Sequence, residues 1–206
     1  MKIPREMSLM LWDLMLPFNE GKMLGKHVFD PKFTLASTEL KKVLTKATGI
    51  SFNVCLDMPC GNGRNIYLLA SFFKSVTGYD VNQSHLENIR SLLPKYNGGN
   101  VILTEEVDLM EQTPAKISEA DFICNIHYYN YSLLFRIIGE MKKGALLFVE
   151  TPGCFGNNYL ELPAEPEINY LFKDVTVLSY NPKLCKSVNS TGKNISFKAL
   201  IRKDNE

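Results

Sequence analysis

From about residue 53 onward the chain switches between two hydrophobic periods. Short apolar runs at 53–57, 75–80, 100–104, 120–126 and 145–151 have the length and bounding turns of buried strands. Between them the spacing becomes helical. Residues 64–74 place Ile66, Leu68, Leu69, Ala70, Phe72 and Phe73 at helix spacing, and 84–93 form a helix that Pro94 ends. Residues 131–141 are helical up to Gly144, and 167–172 make a short helix. Ahead of the first strand, 38–48 carry Leu40, Val43, Leu44 and Ala47 on one face, with Ser37 or Thr38 as cap and Gly49 as stop. The end breaks the rhythm. Residues 174–179 and 195–202 both read as strands, joined through Asn181, Pro182, Asn189, Gly192 and Asn194 with no helix between.

This order is β-α-β-α-β-(short)-β-α-β-α-β-β. Strands alternating with helices mean a mostly parallel sheet covered on both faces, and a closing strand pair without a helix means an antiparallel hairpin. The expected fold is α/β: a doubly wound, seven-stranded, Rossmann-like sheet with a C-terminal antiparallel hairpin. In such sheets ligands bind beyond the carboxyl ends of the strands, at the switch point of strand order. Residues 1–206 read as one domain, with 1–36 a lid-like segment and 37–206 the core. The opening segment holds Leu9, Leu11, Trp12, Leu14, Leu16 and Phe18, too apolar to be left in water. It either covers the ligand site, packs on outer helices or meets another chain.

The chemistry concentrates at VCLDMPCGNGRN, residues 54–65. An apolar strand ends at Asp57, a turn with Gly61 and Gly63 follows, and a helix begins. Glycines let a backbone turn tightly beside a ligand, and the helix start offers unpaired N–H groups. The next strand ends in Gly78-Tyr-Asp80, which puts a carboxylate where vicinal ribose hydroxyls can be bound. A nicotinamide dinucleotide site would want a third glycine where Ile66 stands, and Asp57 would repel a pyrophosphate. A carboxylate there suits a cofactor with a cationic amine or sulfonium, which favours S-adenosyl-L-methionine.

LDMPCGNGRNIYLLA followed by VTGYDVN resembles the first two motifs of the class I S-adenosylmethionine-dependent methyltransferases. The D-x-x-C-G-x-G-R signature is similar to small-molecule types such as the tellurite-resistance methyltransferase group. FVETPG at 148–153, followed by NNYLELP at 157–163, matches a stretch those enzymes carry after the fifth strand. The resemblance covers about residue 53 to the C-terminus, and Pro59 departs from it where glycine is frequent. It implies a methyl transfer to a small-molecule acceptor, with S-adenosyl-L-homocysteine as product. It also implies a set of cofactor-facing residues: Asp57 toward the methionine amine, Pro59, Cys60, Gly61, Gly63, Arg64 and Asn65 along the turn, Asp80 on the ribose, Val81 or Asn82 against the adenine, Asp108 toward its amino group, and Asn125. Asp108 can equally be an ordinary helix cap.

The fourth strand ends in Asn125-Ile-His-Tyr-Tyr129. His127, with Tyr128, is the candidate for proton removal from an acceptor, since an imidazole titrates near neutrality. The other reading makes His127 part of the wall. The segment lacks both prolines of the N-P-P-Y tetrad of amino-methyltransferases. GKMLGKH at 21–27 is one residue short of a P-loop and lacks its Ser or Thr.

Charge and composition narrow the partners. With 23 basic and 22 acidic residues the net charge is +1, which gives no footprint for duplex nucleic acid or an anionic membrane. The five cysteines form no C-x-x-C pair, and the apolar stretch at 8–18 is interrupted by Asp13 and too short to span a bilayer. A reduced, cytoplasmic protein without a metal site is expected, either monomer or homodimer. A cofactor-binding protein of the same fold without turnover is the alternative.

Overall fold

The computed structural model describes residues 37–46, 52–95, 100–154, 165–180, 183–186 and 193–204. The lid-like reading of 1–36 lies outside them. The strands are β1 (Val54–Asp57), β2 (Ser75–Asp80), β3 (Val101–Glu106), β4 (Phe122–Ile126), β5 (Leu146–Cys154), β6 (Val175–Tyr180), β7 (Lys183–Lys186) and β8 (Lys193–Lys203). The α-helices are α1 (Thr38–Lys46), α2 (Ile66–Ala70), α3 (Gln83–Leu92), α4 (Tyr131–Glu140) and α5 (Glu165–Leu171).

The sheet runs β3-β2-β1-β4-β5-β8-β6, with β7 paired to β8 beside this path. Pairs from β3 to β5 are parallel, and β8 is antiparallel to β5, β6 and β7. The doubly wound expectation holds, with two refinements. The last strand inserts between β5 and β6 rather than closing an outer hairpin, and β7 adds an eighth strand inside the stretch read as a turn. The order reverses between β1 and β4, so the switch point lies beside Asp57.

Two apolar layers hold the sheet. One joins Leu56, Ile123, Leu147 and Ile201 to Leu133, Leu134 and Ile137 of α4. The other joins Cys55, Phe122 and Phe148 to Leu40, Val43 and Leu44 of α1 and to Ile66 and Leu69 of α2. Each such side chain, fully buried, contributes about 1.5–3 kcal/mol. The alternation of faces along each strand therefore carries most of the fold's stability.

Helix α2 is shorter than the apolar pattern of 64–74 predicts. All five of its residues are buried, so no polar face marks its limits. Gly78 makes its close approach possible: a Cβ there would lie 2.5 Å from Ile66 Cδ1 and 3.0 Å from Cys60 Sγ. In dinucleotide folds the third glycine of the turn gives helix and strand this room. Here that place is Ile66, and the missing side chain is on the facing strand instead.

Candidate functional site

Beta-strand ends and the glycine turn converge at the switch point. Asp57, the last residue of β1, is fully buried. Among the described residues no N–H or O–H group donates to either of its carboxylate oxygens, though the Cys124 thiol is close enough to stabilise the charge. Burial pushes its pKa up to about 7, against the pull of Arg64 and Cys124. Next to it Asn125, also fully buried, donates its Nδ2 to the Met58 carbonyl at 2.8 Å. Its Oδ1 accepts nothing from the described residues. Three buried acceptor atoms without donors thus occupy adjacent strand ends, a costly arrangement unless a ligand supplies the donors.

The turn is built as its glycines require. Gly61 and Gly63 both have positive φ, 51° and 81°, and the Met58–Pro59 bond is cis. Gly61 donates its N–H to Asp80 Oδ2 at 2.8 Å, and Cys60 N–H reaches the Tyr79 carbonyl at 2.8 Å. The two glycines differ in what they face. A Cβ at Gly61 would meet open space, whereas one at Gly63 would lie 2.7 Å from Ile89 Cγ1 on α3. Gly63→Val should therefore act on folding, costing about 3 kcal/mol by overpacking and backbone strain together. Gly61→Ala should cost only about 1 kcal/mol, through its positive φ. Urea unfolding of the two variants checks this order.

Asp80 ends β2 nearly buried. Its Oδ1 takes the Asn82 N–H at 2.9 Å and lies 3.4 Å from His85 Nδ1. With Gly61 on Oδ2, the carboxylate is oriented and retains acceptor capacity, since each oxygen has two lone pairs. Asn82 caps α3 by accepting from Ser84 N–H at 3.0 Å. Val81 is 61% exposed, an apolar side chain at the outer rim. Asp108 takes the Met110 N–H on Oδ1 at 2.8 Å, the turn-capping arrangement. Cys60 is buried against Gly78, and its thiol is pushed well up by burial. Pro59 is half-buried beside it.

Asn65, buried at the start of α2, does not cap its own helix. Its Oδ1 accepts instead from the Ser37 N–H at 3.1 Å. Arg64 lies with Nη2 3.3 and 3.4 Å from the two ring nitrogens of His127. Loss of hydration lowers the guanidinium's pKa, partly offset by Glu150 and Asp57.

His127 follows β4 with φ 62°, unusual for a side chain with a Cβ. Although part of its surface stays open, loss of hydration within the surrounding protein, and then the charge of Arg64, bring its pKa down to about 4. The imidazole is thus neutral at pH 7 and a weak base, which disfavours the proton-removing role its residue type suggests. A histidine whose folded pKa lies below the unfolded value of 6.5 costs stability as pH falls from there toward 4. A nuclear magnetic resonance titration should show His127 unprotonated at pH 5.5. Tyr128 donates to Met110 Sδ at 2.9 Å, and burial, then Asp108, raises its pKa, so it is a phenol at neutrality. Tyr129 donates to Glu167 Oε2 at 2.7 Å.

Two further side chains belong to this end of the sheet and are not among the expected site residues, although Glu150 lies within FVETPG. Glu150 of β5 and Lys198 of β8 stand opposite each other in register, with 3.3 Å between Nζ and Oε1, and both are about 1% exposed. The available signal is that Glu150 is the one charge of LLFVETPGC and Lys198 the one charge within ISFKALI.

The sequence profile of the family described as tellurite resistance protein TehB matches residues 23–147. The chain belongs to the TehB family. Comparison with curated proteins finds no match. Among solved structures, TehB from Haemophilus influenzae is 22% identical with a TM-score of 0.60, covering 73% of this chain and 57% of that one. The chain thus spans little more than half the length of that relative. An S-adenosylmethionine-dependent methyltransferase from Clostridium acetobutylicum is 14% identical with a TM-score of 0.59, covering 81% and 89%. Coclaurine N-methyltransferase, bound to N-methylheliamine and S-adenosylhomocysteine, is 15% identical with a TM-score of 0.61, covering 79% and 70%. The fold of this TehB-family chain is that of the class I methyltransferases. No helix among its described residues is long and apolar enough to cross a membrane.

Proposed function

We propose that this chain is an S-adenosylmethionine-dependent methyltransferase acting on a small-molecule acceptor. The observation that carries the proposal is the trio of buried acceptors that no N–H or O–H group of the described residues reaches: Asp57 Oδ1, Asp57 Oδ2 and Asn125 Oδ1. An ammonium group has three N–H donors and a charge that Asp57 would balance, directly or through a water. The fit extends along the turn. Asp80 would take a ribose diol on its remaining lone pairs, and the open side of Gly61 would admit a ligand. Exposed Val81 would offer an apolar surface to an adenine, with Asp108 next to Val107, whose N–H the Asp80 carbonyl accepts.

When bound, the cofactor supplies a methyl group already activated by its sulfonium charge. What remains for the chain is positioning: the turn and the two carboxylates hold one reactant, and the ends of β4 and β5 hold the other. Placing two reactants in line can supply a large part of a rate enhancement. With His127 weakly basic and Tyr128 un-ionised, an acceptor that is nucleophilic without proton removal suits the site. The same observation favours, as a second reading, cofactor binding without turnover.

Titration calorimetry with S-adenosylmethionine, S-adenosylhomocysteine and NAD separates the cofactor classes. The expected result is binding of the first two alone. Transfer from a methyl-labelled cofactor to a panel of small acceptors then separates an enzyme from a binder. A folded protein that binds NAD and neither sulfur cofactor would overturn the proposal.

A further inference from the structure

The start of α1 is tied to the glycine turn by a chain of buried polar contacts. Ser37 gives its N–H to Asn65 Oδ1 at 3.1 Å and its hydroxyl to Glu150 Oε2 at 2.5 Å. The same hydroxyl caps α1 by accepting the Leu40 N–H at 3.2 Å. The other oxygen of Glu150 faces Lys198. Glu39, fully buried in the first turn of α1, lies in the field of both Lys198 and Glu150 and pairs with Lys42 at 3.1 Å. The backbone of Glu150 is committed as well, its carbonyl accepting the His127 N–H at 2.6 Å. Its charge also acts on Arg64.

Such a network is expensive. Burying a carboxylate and an ammonium costs more than an apolar pair of similar size, so their presence calls for a role beyond packing. The contacts say what it does. Asn65 sits where the turn meets α2, and the Ser37 N–H holds its side chain from outside the turn, as Asn88 holds Asn62 and His127 faces Arg64.

We propose that Ser37, Glu150 and Lys198 are positioning residues that lock the cofactor turn to the first helix, so that ordering of α1 and occupancy of the turn reinforce each other. The inference rests on the cofactor reading above for its functional half, while the lock itself is a property of the unliganded protein. Lys198 fixes the Glu150 carboxylate, Glu150 orients the Ser37 hydroxyl, and Ser37 presents its N–H to Asn65. Coupling of this kind is reciprocal: whatever steadies the turn must steady α1 by the same factor.

Amide hydrogen exchange on the whole chain tests it. Ser37→Ala removes the hydroxyl link and leaves the Glu150–Lys198 pair intact. Without ligand, exchange at Gly63, Ile66 and Leu69 is expected to quicken about tenfold, while Ile123 and Leu147 in the central strands stay unchanged. Ser37→Thr keeps a hydroxyl and should restore the slow rate. Because Glu150→Gln alone removes the carboxylate 3.3 Å from the buried Lys198 ammonium, the double variant Glu150→Gln with Lys198→Met is the second probe, and it should quicken the same amides.

Adding S-adenosylhomocysteine to the wild type should slow exchange at Leu40 and Lys41, and this response should vanish in Ser37→Ala. Unchanged turn amides in both Ser37→Ala and the double variant would overturn the lock. Turn amides that respond to Ser37→Ala in a protein that does not bind S-adenosylhomocysteine would uphold the lock and overturn the cofactor reading.

Discussion

Asp57→Asn is expected to lose at least about a hundredfold in affinity for S-adenosylhomocysteine while making the unliganded protein more stable. The first effect follows from removing the charge that balances the ammonium, since a charge-assisted hydrogen bond contributes about 1.5–3 kcal/mol and a desolvated pair more. The second follows from burial. Asp57 has its folded pKa raised from 3.8 to about 7, so the folded state holds a proton that the unfolded chain has released. Stability is therefore lost as pH rises from about 4 to about 7, by an amount on the order of 4 kcal/mol across that window. An amide carries no such penalty. Urea unfolding at pH 5 and pH 8 should show a difference for the wild type that is absent in Asp57→Asn. On the proposed reading, binding at this position and destabilisation by it have one origin, the burial of the Asp57 carboxylate.

Asp80→Ala is the other large loss. It removes the acceptor for a ribose diol and also frees Gly61, whose N–H the carboxylate takes at 2.8 Å. The two effects together should weaken S-adenosylhomocysteine by roughly 2–4 kcal/mol, about thirtyfold to a thousandfold. The variant should stay folded, because Cys60 still pairs with the Tyr79 carbonyl and Asn82 still caps α3. Asp80→Asn helps to separate the two contributions: its amide oxygen can keep Gly61, while the charge and the acceptor for the Asn82 N–H are lost. Calorimetry on both variants reads the difference directly.

The strands of this fold were legible because their apolar runs are short and bounded, and because β1 and β2 each end in an aspartate at the carboxyl end of the sheet. What local pattern misses is set by partners far away in sequence. β5 continues through Pro152 and Gly153 because β8 pairs along its whole length, down to Cys154 opposite Asn194. No local preference announces that. β7 has little apolar content and exists by pairing with β8.

The site divides in the same way. The glycine turn follows Asp57 directly and Asp80 ends the next strand, so their type and spacing can be read along the sequence. Ser37, Glu150 and Lys198 lie in three separate segments and acquire meaning only when β5 and β8 come into register. His127 shows the converse. Its residue type suggests a base, but the surrounding protein and the neighbouring Arg64 guanidinium lower its pKa and so disfavour that role.

Calorimetric titration of S-adenosylhomocysteine into the wild-type protein, in buffers of different ionisation enthalpy, tests the central claim most directly. Asp57 is largely protonated at pH 6 in the free protein and must give up its proton to meet the ammonium. Binding should release close to one proton at pH 6 and little at pH 8, with affinity rising about tenfold between them. Asp57→Asn should abolish the release. Tight binding with no proton release at pH 6, or with the same release in Asp57→Asn, would contradict the assignment of Asp57 as the partner of the cofactor's ammonium group.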